Sequence, residues 1–451
     1  MEKIFFITDL DRTIIHSKHK GYKCVEKLGD KEITYMTDYA YDKLQELLKR
    51  EEFIFIPCTM RNINQTLRVD FIRDYNPKII ICTNGAQIYI DGKLDKAWDK
   101  QMKSLCDKDE LNKNIDYLEK LKEEYKIYAP KRFVKQGRYS DTDIIKYDEV
   151  NSFEEIVYNE KSTYPAKEVI TPINQTLYFF TEDEFRESKN PYGNKKILIF
   201  ARPCDINAQK RQDKIYLENG GFEDFFYKRI REKVRFVCME CVEGFDTCFC
   251  TVMNSNKTDD YSLAIRFYEN SALFKINDDE FDKYFTNCTE EEFELKFIEK
   301  NMAEVNIPEI ESKEVLNKLK EHSMWKEYDR RCIQCGSCTI ACPTCSCYTT
   351  RDIIYNENTN VGERKRVQAS CHIDGFDEMA GGHIFRNNAG DKMRYKVLHK
   401  IHDYKEKFGD THMCVGCGRC TDRCPENISI TATINKVDEA VKEIIGGECN
   451  E

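Results

Sequence analysis

Short apolar runs alternate with amphipathic stretches over the first 118 residues. Lys3–Thr8, Phe53–Pro57 and Lys78–Cys82 are the runs of buried strands, and Thr37–Lys49 repeats apolar residues at helical spacing. Strands that alternate with helices predict a parallel α/β sheet. Each strand run ends in polar residues, at the edge where such sheets usually carry their sites.

The hydrophobic pattern changes twice further along the chain. Alternation around Leu177–Phe180 and the strand runs Ile197–Ala201 and Val234–Cys238 predict a second α/β or α+β domain. The C-terminal segment is predicted to begin with a short helix at Ser323–Arg331 and to end with an amphipathic helix at Asn435–Ile445. The predicted domains are residues 1–118, 119–320 and 321–451.

Composition narrows the class of protein. The chain has 451 residues, 33% of them charged, and a net charge of −10, which argues against a nucleic-acid partner. No run approaches the ~18 apolar residues that span a membrane, and the N-terminus lacks a signal-peptide pattern. We therefore expect a cytoplasmic protein with no membrane partner. Its 22 cysteines are grouped at a few places along the sequence, as the ligands of a cofactor usually are.

Two cysteine runs near the C-terminal end share the spacing C-x2-C-x2-C-x3-C-P. This spacing is typical of ferredoxin-like proteins that bind two [4Fe–4S] clusters, in which the fourth cysteine of each run ligates the other cluster. Structural zinc and disulfides fit two complete runs of four less well. The predicted ligands are Cys332, Cys335, Cys338 and Cys424 for one cluster, and Cys414, Cys417, Cys420 and Cys342 for the other.

Further cysteines lie outside these runs. Cys204, Cys241, Cys248 and Cys250 follow strand runs or form a tight turn, and four such thiols predict a third [4Fe–4S] cluster. The alternative is that they are buried small hydrophobic residues. Cys238 is a reserve ligand. Three cysteines remain without a cluster: Cys345, Cys347 and Cys371. We expect them to pack around the clusters or to tune the cluster potentials, rather than to ligate iron.

A basic helical stretch lies at Lys392–Lys405, between the two runs. Charge runs usually form a solvated face. The alternatives are an acidic partner or contact with reduced clusters, which are negatively charged.

The first 118 residues resemble the start of the Cof-type haloacid dehalogenase-like phosphatases. The resemblance makes Asp9 the nucleophile, Asp11 the general acid/base and Thr59 the hydroxyl that holds the phosphoryl group. Asn84-Gly85-Ala86 matches a turn near the substrate. The family's later lysine and acidic G-D-x-x-N-D motif are missing before residue 118, so the Mg²⁺ site is incomplete.

From Tyr125 onward the chain resembles the dicluster electron-transfer component of anaerobic sulfite reductases, and it is similar to the iron–sulfur β subunits of sulfhydrogenase-type [NiFe] hydrogenases. The motifs include Ala129-Pro130-Lys131, Arg202-Pro203-Cys204-Asp205, Thr247-Cys248-Phe249-Cys250 and Ala380–Arg386. The resemblance to sulfite reductase implies a non-catalytic electron-transfer role. The partners would be a siroheme subunit that reduces sulfite to sulfide and a flavin/nicotinamide subunit. The alternatives are the equivalent hydrogenase component and a Mg²⁺-dependent phosphatase that uses Asp9 and Asp11.

Overall fold

A computed structural model describes most of the chain. The described residues are 3–11, 13–16, 21–29, 31–105, 118–268, 271–286, 290–356, 358–409 and 411–448. The chain divides into two compact units, Met1–Asn114 and Ile115–Glu451. Each unit has its own hydrophobic core.

The first unit is a small α/β structure. Its strands are β1 (Ile4–Thr8), β2 (Lys23–Leu28), β3 (Lys31–Met36), β4 (Phe53–Pro57), β5 (Ile79–Cys82), β6 (Gln87–Ile90) and β7 (Lys93–Leu94). Its helices are α1 (Asp38–Leu48), α2 (Ile63–Thr66), α3 (Asp70–Tyr75) and α4 (Lys96–Leu105). The strands and the first helix predicted from the apolar runs are present within a residue of their expected bounds.

Parallel pairing in this unit is more limited than the sequence predicted. Strands β1 and β4 pair in parallel over their full length. The next expected strand, β5, joins them through one parallel bridge between Cys58 and Ile81, and it pairs antiparallel with β6. The hairpin of β2 and β3 and helix α3 complete the core around Phe55 and Phe71. The N-terminal unit is therefore an α/β domain with a mixed strand arrangement.

The second unit contains the remaining elements. Its strands are β8 (Tyr125–Phe133), β9 (Ile144–Glu149), β10 (Asn174–Phe180), β11 (Phe185–Glu187), β12 (Lys196–Ala201), β13 (Val234–Met239), β14 (Leu263–Phe267), β15 (Ala272–Ile276), β16 (Tyr348–Ile354) and β17 (Gly362–Gln368). Its helices are α5 (Lys167–Ile170), α6 (Pro203–Asp213), α7 (Phe225–Arg231), α8 (Lys313–Glu321), α9 (Glu327–Arg331), α10 (Ser337–Ile340), α11 (Ala389–Leu398), α12 (Tyr404–Phe408), α13 (Arg419–Asp422) and α14 (Ile430–Glu448).

A six-stranded sheet forms the centre of the second unit, in the order β15-β14-β13-β12-β8-β9. The four inner strands are parallel and both edge strands are antiparallel. Buried apolar residues cover both faces of this sheet, as parallel strands require. Helix α6 begins two residues after β12 and carries Cys204 in its first turn, while the loop after β13 carries Cys241.

A second, antiparallel sheet joins distant parts of the chain, in the order β11-β10-β17-β16. Strands β16 and β17 belong to the insertion between the two cysteine runs, and β10 and β11 precede the first run by more than a hundred residues. The insertion therefore contributes a β-hairpin to this sheet, whose other two strands lie before residue 320. The domain boundary that we placed there stays a prediction.

Helices pack around both cysteine runs. Trp325, Tyr328 and Leu319 share one buried core with Val397 on α11 and Val437 on α14. Four of the run cysteines border this core: Cys332, Cys414, Cys420 and Cys424. Within the described ranges, no helix is long and apolar enough to cross a membrane.

Candidate metal centre

The two cysteine runs share one backbone design. Gly336 (φ 75°) leads into α10 in the first run, and Gly418 (φ 70°) leads into α13 in the second. Glycine adopts this left-handed backbone without steric cost. A Cβ atom at Gly418 would lie 2.3 Å from the carbonyl oxygen of Thr247. Glycine is therefore needed for the second run to pack against the loop that begins at Thr247.

One cavity is lined by all four cysteines that the sequence assigns to the first cluster. Cys332, Cys335 and Cys338 come from the first run, and Cys424 comes from the second. Cys420 also reaches this cavity, so the predicted sites of the two clusters adjoin. Thiols around an apolar cavity are the donor set that a [4Fe–4S] cluster needs. Other lining residues include Ile333, Met393, Ile428 and Ile430.

The second predicted set is buried. Burial, with a contribution from the neighbouring Cys342 thiol, raises the pKa of Cys414 to about 12. Burial also raises the pKa values of Cys417 and Cys420, with Cys342 again among the contributing neighbours. The fourth cysteine of the first run is thus close enough to affect the pKa values of the first three cysteines of the second run. Iron coordination favours the thiolate and would oppose these upward shifts.

The third predicted set collects at the carboxyl ends of the central strands. Burial raises the pKa of Cys250 to about 12, and both Cys248 and Cys241 contribute. Cys204 lies near Cys250, which adds to the upward shift that burial causes in the pKa of Cys204. The reserve ligand Cys238 packs in the apolar core of β13. The structure thus brings the four named thiols near one another, and their ligation of a third cluster stays a prediction.

The third set borders the second. Cys204 packs with Cys417, Ala208 and Val415 in one small buried cluster. The backbone N–H of Phe249 donates to the carbonyl oxygen of Gly416 at 2.7 Å. The three thiol sets therefore follow one another through the second unit.

Buried lysines face these thiols. Lys392, Lys396 and Lys400 lie four residues apart along α11 and the turn after it, and each is at most 5% exposed. The prediction of a solvated face is therefore wrong for these three lysines, although it holds for Lys405, which is exposed. The Lys396 ammonium donates to Thr339 Oγ1 at 3.3 Å. Burial lowers the pKa of Lys396, but neighbouring thiols, Cys338 first, raise it above its ordinary value overall.

The sequence suggested contact with reduced clusters as one alternative for the whole basic stretch, but it did not single out these three lysines, although their spacing of four residues was visible. Lys167, which sequence reasoning missed entirely, adds a further buried ammonium group. It donates to the carbonyl oxygens of Thr339 at 3.1 Å and Cys345 at 3.3 Å. Positive charge is thus concentrated where thiolate-ligated clusters would carry negative charge.

The cysteines that the sequence left without a cluster also approach one another. Cys347 and Cys371 are joined by a hydrogen bond between their thiols, which lowers the pKa of Cys347 and raises the pKa of Cys371. Cys345 is similarly hydrogen-bonded to Cys342. Cys345, Cys347 and Cys371 line one open cleft.

One histidine lies against the first thiol set. His372 is fully buried, and its Nδ1 atom lies 3.8 Å from Cys332 Sγ. Burial, followed by the charge of Lys396, lowers the pKa of His372 to about 3. The imidazole is therefore neutral, and it provides a polar neighbour for the Cys332 thiol.

The phosphatase-like residues occupy the first unit. Asp9 is exposed and accepts a hydrogen bond from Thr13 at 3.2 Å. Asp11 is held by Arg61, whose Nε and Nη2 donate to its two oxygens at 2.7 and 2.6 Å. Thr59 is buried, and its hydroxyl oxygen accepts from the backbone N–H of Arg61 at 3.2 Å.

Arg61 has a second acidic partner that the sequence did not reveal. Its Nη1 donates to Glu26 at 2.8 Å, and Glu26 also accepts from Arg68 and Thr34. Hydrogen bonding to Asp11 makes the largest contribution to raising the pKa of Arg61. The residue expected to act as general acid/base is therefore part of an ion-pair network.

No three His, Cys, Asp or Glu side chains in the described part of the chain converge tightly enough to hold a single metal ion. The thiols of the first set instead surround a cavity. That arrangement fits a multi-iron cluster, whose ligands stand apart around it, better than a mononuclear centre.

Comparison with known proteins defines the class. A family model described as a 4Fe-4S dicluster domain matches residues 331–428, which include both cysteine runs and the insertion between them. The chain therefore carries an iron–sulfur dicluster domain of the electron-transfer type. A second model, described as a haloacid dehalogenase-like hydrolase, matches residues 6–202 and continues past the first unit.

One curated relative covers most of the chain. Sulfhydrogenase 2 subunit beta of Pyrococcus furiosus is 27% identical over 341 residues, which are 72% of this chain and 96% of the relative. Among solved structures, sucrose-phosphatase from Synechocystis sp. PCC6803 matches at 14% identity over 53% of this chain and 83% of that chain. Its TM-score of 0.18 is too low to support any argument.

Proposed function

We propose that this chain is the electron-relay subunit of a sulfhydrogenase-type [NiFe] hydrogenase complex. The observation that carries this proposal is the order of the three thiol sets. Cys335 of the first set is exposed, Cys420 of the second set reaches the first set's cavity, and Cys204 of the third set packs on Cys417. Such an order suits stepwise transfer between a surface and the interior.

The proposed cofactors supply one-electron chemistry when bound. The chain's own residues would hold each cluster through four thiolates, keep water away by burial and balance negative charge with the lysine row. No G-x-G-x-x-G fingerprint follows a strand run in the sequence, so a partner would bind the flavin and nicotinamide. A further partner would activate hydrogen. We place this complex in the cytoplasm.

A second candidate is the relay component of an anaerobic sulfite reductase, in which a siroheme subunit would accept the electrons. Two segments favour it because they resemble the corresponding sulfite reductase component: Tyr139–Asp143 and Phe179–Glu182. In the structure the first segment is a tight turn, in which the backbone N–H of Tyr139 donates to Thr142 Oγ1 at 3.0 Å. The second segment begins in the last two residues of β10. The relay chemistry is the same, and only the terminal partner differs.

The partner's cofactor separates these candidates. The chain would be purified anaerobically from its native host by an affinity tag, and the complex examined by visible spectroscopy and metal analysis. Nickel and a flavin without siroheme would support the hydrogenase complex. Siroheme bands without nickel would replace it with sulfite reductase. A chain recovered without either partner under conditions that preserve the clusters would contradict both.

A further inference from the structure

Strand β1 lies at an open edge of the first unit. Its neighbour β4 leads into residues that bond in two directions: the backbone N–H of Cys58 donates to Thr8 of β1, and that of Thr59 donates to Ile81 of β5, each at 2.9 Å. Strand β4 therefore lies between β1 and β5. Within the described ranges, no second strand pairs with β1. The edge of β1 that faces away from β4 can therefore accept a further strand.

The backbone groups on this open edge belong to two residues. The N–H of Ile4 donates to the carbonyl oxygen of Glu52 at 2.7 Å, and the carbonyl oxygen of Thr8 also bonds on the β4 side. The direction of these groups alternates along a strand. The N–H and C=O groups of Phe5 and Ile7 therefore point to the open edge, where a partner strand would bond to them.

The side chains of β1 are apolar on both faces of the strand and poorly covered. Ile4, Phe5 and Ile7 are 56%, 59% and 59% exposed. Phe6 is 37% exposed, although its ring packs on that of Phe53 with 5.6 Å between the centroids. Scattered exposed apolar residues are common, but four in succession on an unpaired strand edge mark a surface that another strand covers.

The charges at the two ends of this apolar run are opposite. Lys3 precedes β1 and Asp9 follows it, and both residues are exposed. Two copies of β1 that pair antiparallel about a twofold axis at Phe6 place Lys3 of each copy opposite Asp9 of the other. The same register places Phe5 opposite Ile7, so their edge-facing backbone groups exchange hydrogen bonds. An axis at Phe5 or at Ile7 would instead place a flanking charge opposite an apolar residue.

We propose that the chain forms a homodimer in which β1 pairs antiparallel with β1 of a second copy, with the twofold axis at Phe6. Such an interface is closed, because each copy uses the same edge. Opposite charges directly across a strand pair stabilise it, and like charges destabilise it. A second copy is the occupant because its charges match both ends of the edge at once. This inference concerns the first unit and does not depend on the proposed relay function.

The test measures the oligomeric state of the full-length chain, with its clusters loaded and an affinity tag at the C-terminal end. Anaerobic sedimentation velocity over a range of concentrations should show a monomer–dimer equilibrium. Lys3→Glu and Asp9→Lys each place like charges opposite each other at both ends of the interface. Each should raise the dissociation constant of the dimer at least about tenfold.

The double variant Lys3→Glu with Asp9→Lys is the decisive member of this series. It should restore the dissociation constant of the parent, because the charges across the interface are again opposite. Lys93→Glu is the matched control, since Lys93 is an exposed lysine on β7 of the same unit. It changes the net charge as Lys3→Glu does, and it should leave the equilibrium unchanged.

A zero-length cross-link tests the register. A carbodiimide joins an amine to a carboxylate only where the two groups are in contact. Within one copy, Lys3 and Asp9 lie at opposite ends of an extended strand, about 20 Å apart. An amide between them can therefore form only between two copies. Mass spectrometry of the digested protein should find this amide in the parent, and dilution below the dissociation constant before cross-linking should remove it.

Phe5→Pro separates strand pairing from contact between apolar side chains. The N–H of Phe5 points away from β4, so proline removes no bond within the unit but removes one bond at each end of the interface. Phe5→Pro should weaken the dimer, whereas Phe5→Val, which keeps the N–H, should retain it. Iron content and the circular dichroism spectrum should match those of the parent in every variant.

Three results would contradict this proposal. A parent chain that stays monomeric at every concentration measured would exclude the homodimer. A dimer that ignores the charge reversals and yields no amide between Lys3 and Asp9 would place the interface elsewhere. A dimer that responds to the charges but is unaffected by Phe5→Pro would show that the two copies meet through side chains, without a shared strand pair.

Discussion

Arg419 and Asp205 form a buried, bidentate ion pair between the second and third thiol sets. The two guanidinium Nη atoms donate to the two carboxylate oxygens at 2.6 and 2.7 Å, and each side chain is 2% exposed. Asp205 directly follows Cys204, and Arg419 lies between Cys417 and Cys420. The pair therefore holds helix α6 against helix α13. Because these helices carry Cys204 and Cys420, the pair also holds the second and third predicted cluster sites in place.

Removing one partner of this pair should be costly. Asp205→Ala leaves the Arg419 guanidinium buried with only Ser162 as a partner among the described residues, and a broken buried ion pair typically costs about 3–5 kcal/mol. We expect a lower melting temperature and loss of iron from the second and third sites. Anaerobic thermal unfolding and iron analysis measure both effects.

The control for this prediction is Asp259→Ala. Asp259 is fully exposed and lies 3.8 Å from Lys210, so its loss should leave the melting temperature unchanged. The double variant Asp205→Leu with Arg419→Met should be more stable than Asp205→Ala, because it buries no unpaired charge. A parent-like melting temperature for Asp205→Ala would show that the pair does not anchor these helices.

The iron content of the protein should show whether the third thiol set binds a cluster. Three loaded sites predict about twelve irons per chain, and Cys248→Ala should reduce this to about eight. Cys238→Ala should keep about twelve, because Cys238 packs in the apolar core of β13. Iron analysis of anaerobically purified protein decides the matter. About eight irons in the unmodified chain would reject a third cluster.

The lysine row should raise the cluster potentials. Lys396 is buried near Cys338, Cys345 and Cys371, and reduction adds negative charge to a cluster. Lys396→Met removes the positive charge while keeping an unbranched apolar stem. The midpoint potential of the nearest cluster should fall by on the order of tens of millivolts, as followed by electron paramagnetic resonance during a redox titration.

Lys405→Met is the matched control, since Lys405 is exposed on α12 of the same helical segment. Its midpoint potentials should equal those of the parent, because water and salt screen an exposed charge. Equal potentials for Lys396→Met, with iron content retained, would limit the row to a structural role.

What the sequence revealed about the site was local. The spacing of the run cysteines is a property of a few consecutive residues, and it predicted the two cluster sites. The structure places Cys424 on the same cavity as the first three cysteines of the first run, and their ligation of one cluster stays a prediction. Strands such as Ile197–Ala201 could also be predicted from the sequence. Their signal is the length and spacing of an apolar run, which depends only on neighbouring residues.

What the sequence could not reveal depends on contacts across long separations. Lys396 and Lys405 belong to one basic stretch, yet Lys396 is buried and Lys405 is exposed, and this depends on which helix face meets the thiols. The ion pair of Arg419 with Asp205 joins residues 214 positions apart. The antiparallel sheet shared by β10 and β17 is similarly non-local, so the insertion could not be recognised as part of it.

The phosphatase-like site of the first unit should be inactive. Asp11 would have to leave its bidentate contact with Arg61 before it could exchange a proton with a leaving oxygen, and Arg61 is itself held by Glu26. We expect Mg²⁺-dependent hydrolysis of p-nitrophenyl phosphate to be no faster than that of the Asp9→Asn variant. Steady-state absorbance assays with and without Mg²⁺ measure this.

Turnover that requires Mg²⁺ and disappears in Asp9→Asn would instead make this unit a phosphatase fused to a redox protein. Arg61→Ala then separates the causes: a gain of activity would identify the ion pair as the block, whereas continued inactivity would point to the acidic motif that is missing before residue 118.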